Sequence, residues 1–254
     1  MSRLRARLRA GETLLGGLLR MPGEMLVDLS GVAGLDYVVI DCEHGPADLV
    51  ALQHHVAAAE ARGLDVLVRV APNDPDLVLR VLDLGVTGII APHVDTADDA
   101  RRAVAAAHYP PLGWRGFATY SRAGLYGSVT IAGHLAEAAE TTLVVVMLES
   151  PDGCANAADI LAVEGVDAVM VGPADLSVAM GLTGGASEAA VQEAVDAVRA
   201  AAATAGRAQM TIVGGADQAG AAPPGLIVYN LAHVLLNTFR GLNIHPNGRR
   251  DGHR

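Results

Sequence analysis

"GLDVLVRVAPNDPDLVLRVLDLGVTGIIAP", residues 63–92, reads as one structural unit. Asp65 to Val70 and Thr87 to Ala91 are short apolar runs rich in β-branched residues, the composition of strands. Between them, "DPDLVLRVLDLG" carries a helical pattern and closes on glycine, as helices commonly do. Strands joined through a helix run parallel, because the crossover returns the chain to the end it started from. The fold then depends on how often this unit recurs.

It recurs along the whole chain. Further candidate strands are Leu14 to Leu18, Asp36 to Asp41, Leu143 to Leu148, Asp167 to Val171, Ala208 to Val213 and Leu226 to Tyr229. Helical stretches such as "PADLVALQHHVAAAEARG", "TADDARRAVAAAH" and "SEAAVQEAVDAVRAAAATAG" lie between them. Eight βα units over 254 residues predict an α/β fold, a single-domain (β/α)8 TIM barrel over residues 1–242. A doubly wound open sheet is the alternative. The polar segment 243–254, "NIHPNGRRDGHR", is expected to be a surface tail. Residues 108–127, "HYPPLGWRGFATYSRAGLYG", break the rhythm and hold the single Trp and three of the five Tyr. A loop of that length in a compact domain usually serves function or an interface.

Composition narrows the chemistry. A formal charge of −10 argues against nucleic acid, whose binders present a basic face. No apolar run reaches the roughly 20 residues a bilayer span needs, and no cleavage pattern follows "MSRLRARLRA", so no membrane partner and no secretory signal are expected. Two cysteines without a CxxC pattern suit a cytoplasmic protein. All 18 basic residues are arginine. Without a lysine amine there is no Schiff-base aldolase and no lysine-tethered pyridoxal phosphate, so a carbanion here needs another electron sink.

In a barrel, reactive groups gather at the C-terminal strand ends. The second strand runs into "IDCEHGP"; alternation along an extended chain turns Asp41 and Glu43 one way, Cys42 and His44 the other. Four adjacent residues therefore do not surround one ion. Arg69 interrupts the third strand, either for a structural salt bridge or to recognise a carboxylate or enolate with its planar fork. Glu149 follows "LVVVML" and serves either a helix start or a metal. In "VMVGPADLS", Gly172 allows close backbone approach, Pro173 fixes a turn, and Asp175 either caps a helix or holds a metal. Two hard oxygen donors suit Mg2+ or Mn2+ better than zinc. The remaining histidines, His54, His55, His93, His108, His134, His233, His245 and His253, read mostly as surface or core-edge residues.

"IDCEHGP", "LVRV" with "PNDP", "LDLGVTGIIAP", "YPPLGWRG", "LES" and "VGPADLSVAMG", in this order and spacing, resemble the HpcH/HpaI aldolase family over about residues 12–185. The resemblance implies a metal-dependent pyruvate aldolase on a TIM barrel, commonly a homo-oligomer, hexamer or trimer. It implies Glu149 and Asp175 as ligands of Mg2+ or Mn2+, with Co2+ a further option, and His44 as the base. Arg69 holds substrate and stabilises the enolate, and Gly172, Pro173, Ala174 and Asp175 form the oxoacid site. Asp83 is implied to raise the basicity of His44. Since Asp83 closes a helix, it belongs at the opposite barrel end, and a neighbouring subunit is one way to supply it. The implied reaction cleaves or forms a C–C bond of a 4-hydroxy-2-oxoacid, with an aldehyde as the second partner. Oxaloacetate decarboxylation, citryl-CoA-like cleavage and a non-catalytic oxoacid-binding barrel are the alternatives. Two departures stand out. Met147 replaces the Gln usual in the family two residues before the metal-binding Glu, and the match decays beyond residue 206, where the last βα unit is expected to be rebuilt.

Overall fold

The computed structural model describes residues 4–21, 23–45, 48–71, 74–183 and 188–242; the tail assigned to 243–254 lies outside them. Eight parallel strands close into a barrel in sequence order, with β8 pairing back onto β1. They are β1 (Leu14–Leu19), β2 (Tyr37–Asp41), β3 (Asp65–Arg69), β4 (Gly88–Ala91), β5 (Leu143–Leu148), β6 (Ala168–Val171), β7 (Ala208–Val213) and β8 (Gly225–Asn230). The helices are α1 (Leu4–Arg9), α2 (Glu24–Val32), α3 (Leu49–Ala61), α4 (Pro75–Asp83), α5 (Ala97–Ala107), α6 (Ile131–Thr141), α7 (Pro151–Ala155), α8 (Ala157–Leu161), α9 (Pro173–Ala179), α10 (Ala189–Ala205), α11 (Ala216–Ala221) and α12 (Leu231–Leu242). Each strand expected from the sequence is present, so the closed barrel prevails over the open sheet. Among the described residues, no helix is long and apolar enough to cross a membrane.

Two apolar layers explain the closure. Leu18, Val39, Leu67, Ile90, Val145, Met147, Met170, Met210 and Val228 fill the barrel interior. Val38, Ile40, Val66, Val68, Ile89, Val144, Val146 and Leu148 point outward against the helices. Strand periodicity thus sorts neighbouring residues onto opposite faces. Gly16 is required inside, because a Cβ there would collide with the ring of Tyr37. Helix starts follow the local sequence: Asp48, Asp74 and Thr96 cap α3, α4 and α5 through side-chain oxygens, Thr96 in a reciprocal pair with Asp99.

The last βα unit is complete, although α12 contains no buried residue and leaves Leu236, Phe239 and Leu242 exposed. The 108–127 loop returns beneath α4, where Arg115 donates to Asp83 at 2.8 Å. Three of the histidines expected mostly at the surface or core edge are buried. His55 is buried and accepts the Gly23 amide at 2.9 Å, His134 is buried against Tyr109, and His108 is buried beside α5. His108 closes α5 where Arg5 and Asp167 approach, and its imidazole is pushed down to about 4, first by burial and then by the Arg5 charge.

Candidate active site

Continuing the inward alternation past each strand end brings the charged residues together. The series Leu14, Gly16, Leu18 on β1 leads to Arg20; Val39 on β2 leads to Asp41 and Glu43; Leu67 leads to Arg69; Val145 and Met147 lead to Glu149. All four series end at the C-terminal mouth.

Asp41 organises this mouth. Its carboxylate is fully buried and takes both Nε, at 3.0 Å, and Nη2 of Arg69, while Arg20 Nε reaches its Oδ2 at 3.0 Å. Its Oδ1 also accepts the Glu43 and His44 amides at 3.1 Å each, which fixes the turn after β2. Burial alone would raise the Asp41 carboxyl, but hydrogen bonds from Arg69 outweigh it and the pKa falls. The salt bridge considered for Arg69 is therefore made, to Asp41. Asp41 occupies two of its nitrogens, while among the described residues Nη1 reaches only the Met147 sulfur, at 3.8 Å, and Arg69 and Met147 both line the cavity.

Glu149 lies one residue before the N-cap of α7. Ser150 caps α7 through Gly153, at 2.9 Å, so Glu149 is free of capping. Asp175 is in the first turn of α9 and caps nothing among the described residues; Gly172 holds the N-cap and Pro173 the first position. A Cβ on Gly172 would lie 2.7 Å from Met147 Cε and 2.9 Å from Glu149 Oε2, so glycine makes room for the Glu149 carboxylate. A cavity of about 170 Å³ is bounded by Arg20, Arg69, Met147, Asp175, Asn230 and the Gly172–Ala174 backbone.

Besides Asp41, three carboxylates converge around this mouth. Burial, with Glu43 and Asp175 nearby, raises the Glu149 carboxyl against the lowering effect of the His93 amide. The Glu43 side chain is only 8% exposed, and its buried Oε2 accepts no hydrogen bond among the described residues, although Arg69 Nε lies 3.3 Å away. His93, just after β4, donates its amide to Glu149 Oε1 at 2.9 Å. Ligand atoms of Glu43, His93 and Glu149 all lie within 4.8 Å of one another. Such a donor set fits a divalent cation.

A family model described as HpcH/HpaI aldolase/citrate lyase matches residues 22–221. The chain belongs to that family. It is 35% identical to the 5-keto-4-deoxy-D-glucarate aldolase of Klebsiella pneumoniae over 79% of this chain and 78% of that one. It is 39% identical to the 2-dehydro-3,6-dideoxy-6-sulfogluconate aldolase of Pseudomonas putida, covering 70% and 69%. Among solved structures, an HpcH/HpaI family protein from Burkholderia cenocepacia matches with a TM-score of 0.89 and 33% identity, over 95% of this chain and 98% of that one. The protein is thus an enzyme of a family of aldolases and lyases.

Within this HpcH/HpaI chain, Arg69, Asp175 and Gly172–Ala174 line one cavity, and Glu149 touches it through Gly172. His44 borders the group: its Nε2 lies 3.9 Å from Glu43 Oε2 and its ring is mostly in solvent. Asp83 does not join them. It sits at the C-terminus of α4, before β4 begins, and therefore at the barrel end remote from His44. Glu43 and His93 are the residues that sequence reasoning passed over. The β2 alternation does turn Glu43 inward, but nothing in the sequence signals that His93 turns back over Glu149. Cys42 packs against the outer core, and burial lifts its thiol to about 11, which removes it as a nucleophile.

Proposed function

We propose that this chain is a divalent-metal-dependent aldolase that cleaves, or in reverse forms, a 4-hydroxy-2-oxoacid, releasing pyruvate and an aldehyde. The observation that supports this most directly is the convergence of Glu149, Asp175 and Arg69 around one cavity at the C-terminal mouth. Glu149 and Asp175 would hold Mg2+, Mn2+ or Co2+. When bound, such a cation polarises the carboxylate and keto oxygens of an oxoacid and favours its enolate. The residues of the chain do the rest. Nη1 of Arg69, left free by the Asp41 pairing, donates to the oxygen that gains charge, a contact worth about 3–4 kcal/mol in comparable sites. Gly172, Pro173 and Ala174 form the wall against the oxoacid.

His44 accepts the proton of the 4-hydroxyl as the C3–C4 bond breaks. The bonding pair stays on C3, the aldehyde carbonyl forms, and a proton returned to C3 gives pyruvate. Asp83 acts on His44 only from a second copy of the chain, which fits a homo-oligomer. The exposed Trp114, Phe117, Tyr120 and Tyr126 of the loop whose Arg115 pairs with Asp83, and the open apolar face of α12, support such an assembly. The two curated relatives are named for sugar acids with an acidic far end, a glucarate and a sulfogluconate. We extend that substrate class to this chain, with Arg20 at the rim as the residue that meets the far acidic group.

The test is a panel of 4-hydroxy-2-oxoacids with and without Mn2+, coupled to pyruvate detection. Metal-dependent pyruvate release that disappears in Glu149→Ala is the expected result. Release that is indifferent to metal and to Glu149 would reject the reading. Deuterium exchange into the pyruvate methyl separates catalysis from an oxoacid-binding barrel without turnover.

A further inference from the structure

We propose that His93 supplies a nitrogen ligand to the cation held by Glu149, with Glu43 as a further oxygen donor, giving a mixed nitrogen–oxygen site selective for transition ions over Mg2+. The inference rests on the reading that Glu149 binds a divalent cation. It adds a donor and a metal preference that a pair of carboxylates does not provide.

Three observations carry it. First, the imidazole stands between two carboxylates: Nδ1 is 3.3 Å from Glu149 Oε1, and Nε2 is 3.3 Å from Glu43 Oε1. One ring nitrogen can take an ion while the other donates its N–H to the carboxylate on its side, an arrangement common among metal-bound histidines. Second, the Glu43 side chain is more than nine-tenths buried, and its Oε2 lacks a hydrogen bond among the described residues. A buried carboxylate beside a second one is costly, and Arg69, whose Nε stands 3.3 Å from Glu43 Oε2, gives its hydrogen bonds to Asp41. Third, the His93 backbone holds the ring in place. Its φ of 52° is uncommon outside glycine, and its amide is tied to Glu149 at 2.9 Å.

About half of the His93 side chain is open to solvent, so a ligated ion would keep an accessible side for substrate or water. Carboxylates alone favour Mg2+, Ca2+ and Mn2+, whereas imidazole raises affinity toward Co2+, Ni2+ and Zn2+.

The experiment uses full-length, metal-stripped protein. Pulsed EPR of the Mn2+-loaded protein should show coupling to nitrogen-14, and this coupling should vanish in His93→Ala. In titrations, His93→Ala should weaken Co2+ about tenfold or more, in the range that ligand-shell changes produce, and leave Mg2+ within about threefold. His93→Gln, which keeps a polar side chain, guards against a folding defect and should behave like the alanine variant. Absence of nitrogen coupling in the wild type, or equal losses of Mg2+ and Co2+ in both variants, would overturn the proposal. Glu149→Gln keeps the two ideas apart. If it abolishes binding of both ions while His93→Ala changes neither, the cation reading stands and the histidine inference fails. If it leaves binding and nitrogen coupling intact, the cation reading built on Glu149 fails.

Discussion

At the N-terminal end of the barrel, Asp167 is nearly buried and has a partner for each oxygen: Arg5 Nε at 2.8 Å on Oδ1 and the Val144 amide at 3.1 Å on Oδ2. At the C-terminal end, Glu149 is equally buried but faces Glu43 and Asp175. The floor repeats its pattern. Asp36 takes Arg7 and the Leu15 amide, and Asp65 takes the Thr87 hydroxyl that in turn accepts the Val66 amide. Leu4 and Leu8 of α1 pack beneath these pairs. Carboxylates at the floor are neutralised by fixed protein donors. At the mouth Asp41 is neutralised in the same way by Arg69 and Arg20, whereas Glu43, Glu149 and Asp175 crowd one another, the arrangement expected of carboxylates with a chemical role.

The largest expected effect tests this contrast directly. Asp167→Ala leaves Arg5 as an uncompensated buried charge and should cost about 3–5 kcal/mol. Glu149→Ala relieves repulsion and should leave the stability of the metal-free protein unchanged or slightly higher while removing metal-dependent turnover. Urea unfolding of both variants without metal gives the comparison. Equal destabilisation would mean that Glu149 is also a structural carboxylate.

A somewhat smaller effect concerns the pH response of the floor. His108 is neutral in the folded chain down to about pH 4, whereas the unfolded chain protonates it near 6.5. The folded state therefore binds fewer protons in that window, and stability falls as pH drops from about 6.5 to about 4. The depression corresponds to about 3 kcal/mol. His108→Leu should flatten that acid limb, as read from unfolding midpoints at pH 7 and pH 4.5. If the limb keeps its slope, the acid sensitivity originates elsewhere.

The floor and the strands were far easier to read in the sequence than the mouth. Strand periodicity and glycine stops mark Asp65–Arg69, Leu143–Leu148 and their companions, because local pattern and tertiary position agree there. The same periodicity turns Asp41 and Glu43 inward and Cys42 outward against the helices, while His44 borders the group from the solvent side, 3.9 Å from Glu43 Oε2. Arg69, Glu149 and Asp175 stand at strand ends or in the following turn, where the barrel rule looks for chemistry. His93 was not legible, because its position depends on a left-handed backbone turn that no residue type announces. Asp83 shows a different limit. The pattern that closes α4 places it correctly at the remote end, and only contacts between copies could bring it to His44.

The smallest expected effect separates two arginines of similar exposure. Arg7 at the floor divides its donors between Glu12 and Asp36, at 2.9 and 2.7 Å. Arg20 at the mouth uses Nε on Asp41, an oxygen it shares with Arg69, and its terminal nitrogens have no acceptor among the described residues. Arg20 lines the cavity beside Asn230, and its neighbour Leu18 is in register with Asn230. An acidic group at the far end of a substrate would meet those unused donors, and a charge-assisted contact of this kind is worth about 1.5 kcal/mol, near tenfold in affinity. Arg20→Leu should therefore raise KM about tenfold for 4-hydroxy-2-oxoacids with an acidic terminus and leave kcat and neutral substrates nearly unchanged. Arg7→Leu should change neither. If Arg20→Leu raises KM equally for neutral and acidic substrates, Arg20 acts through Asp41 and Arg69 on the oxoacid end, and its part in choosing the acceptor is lost.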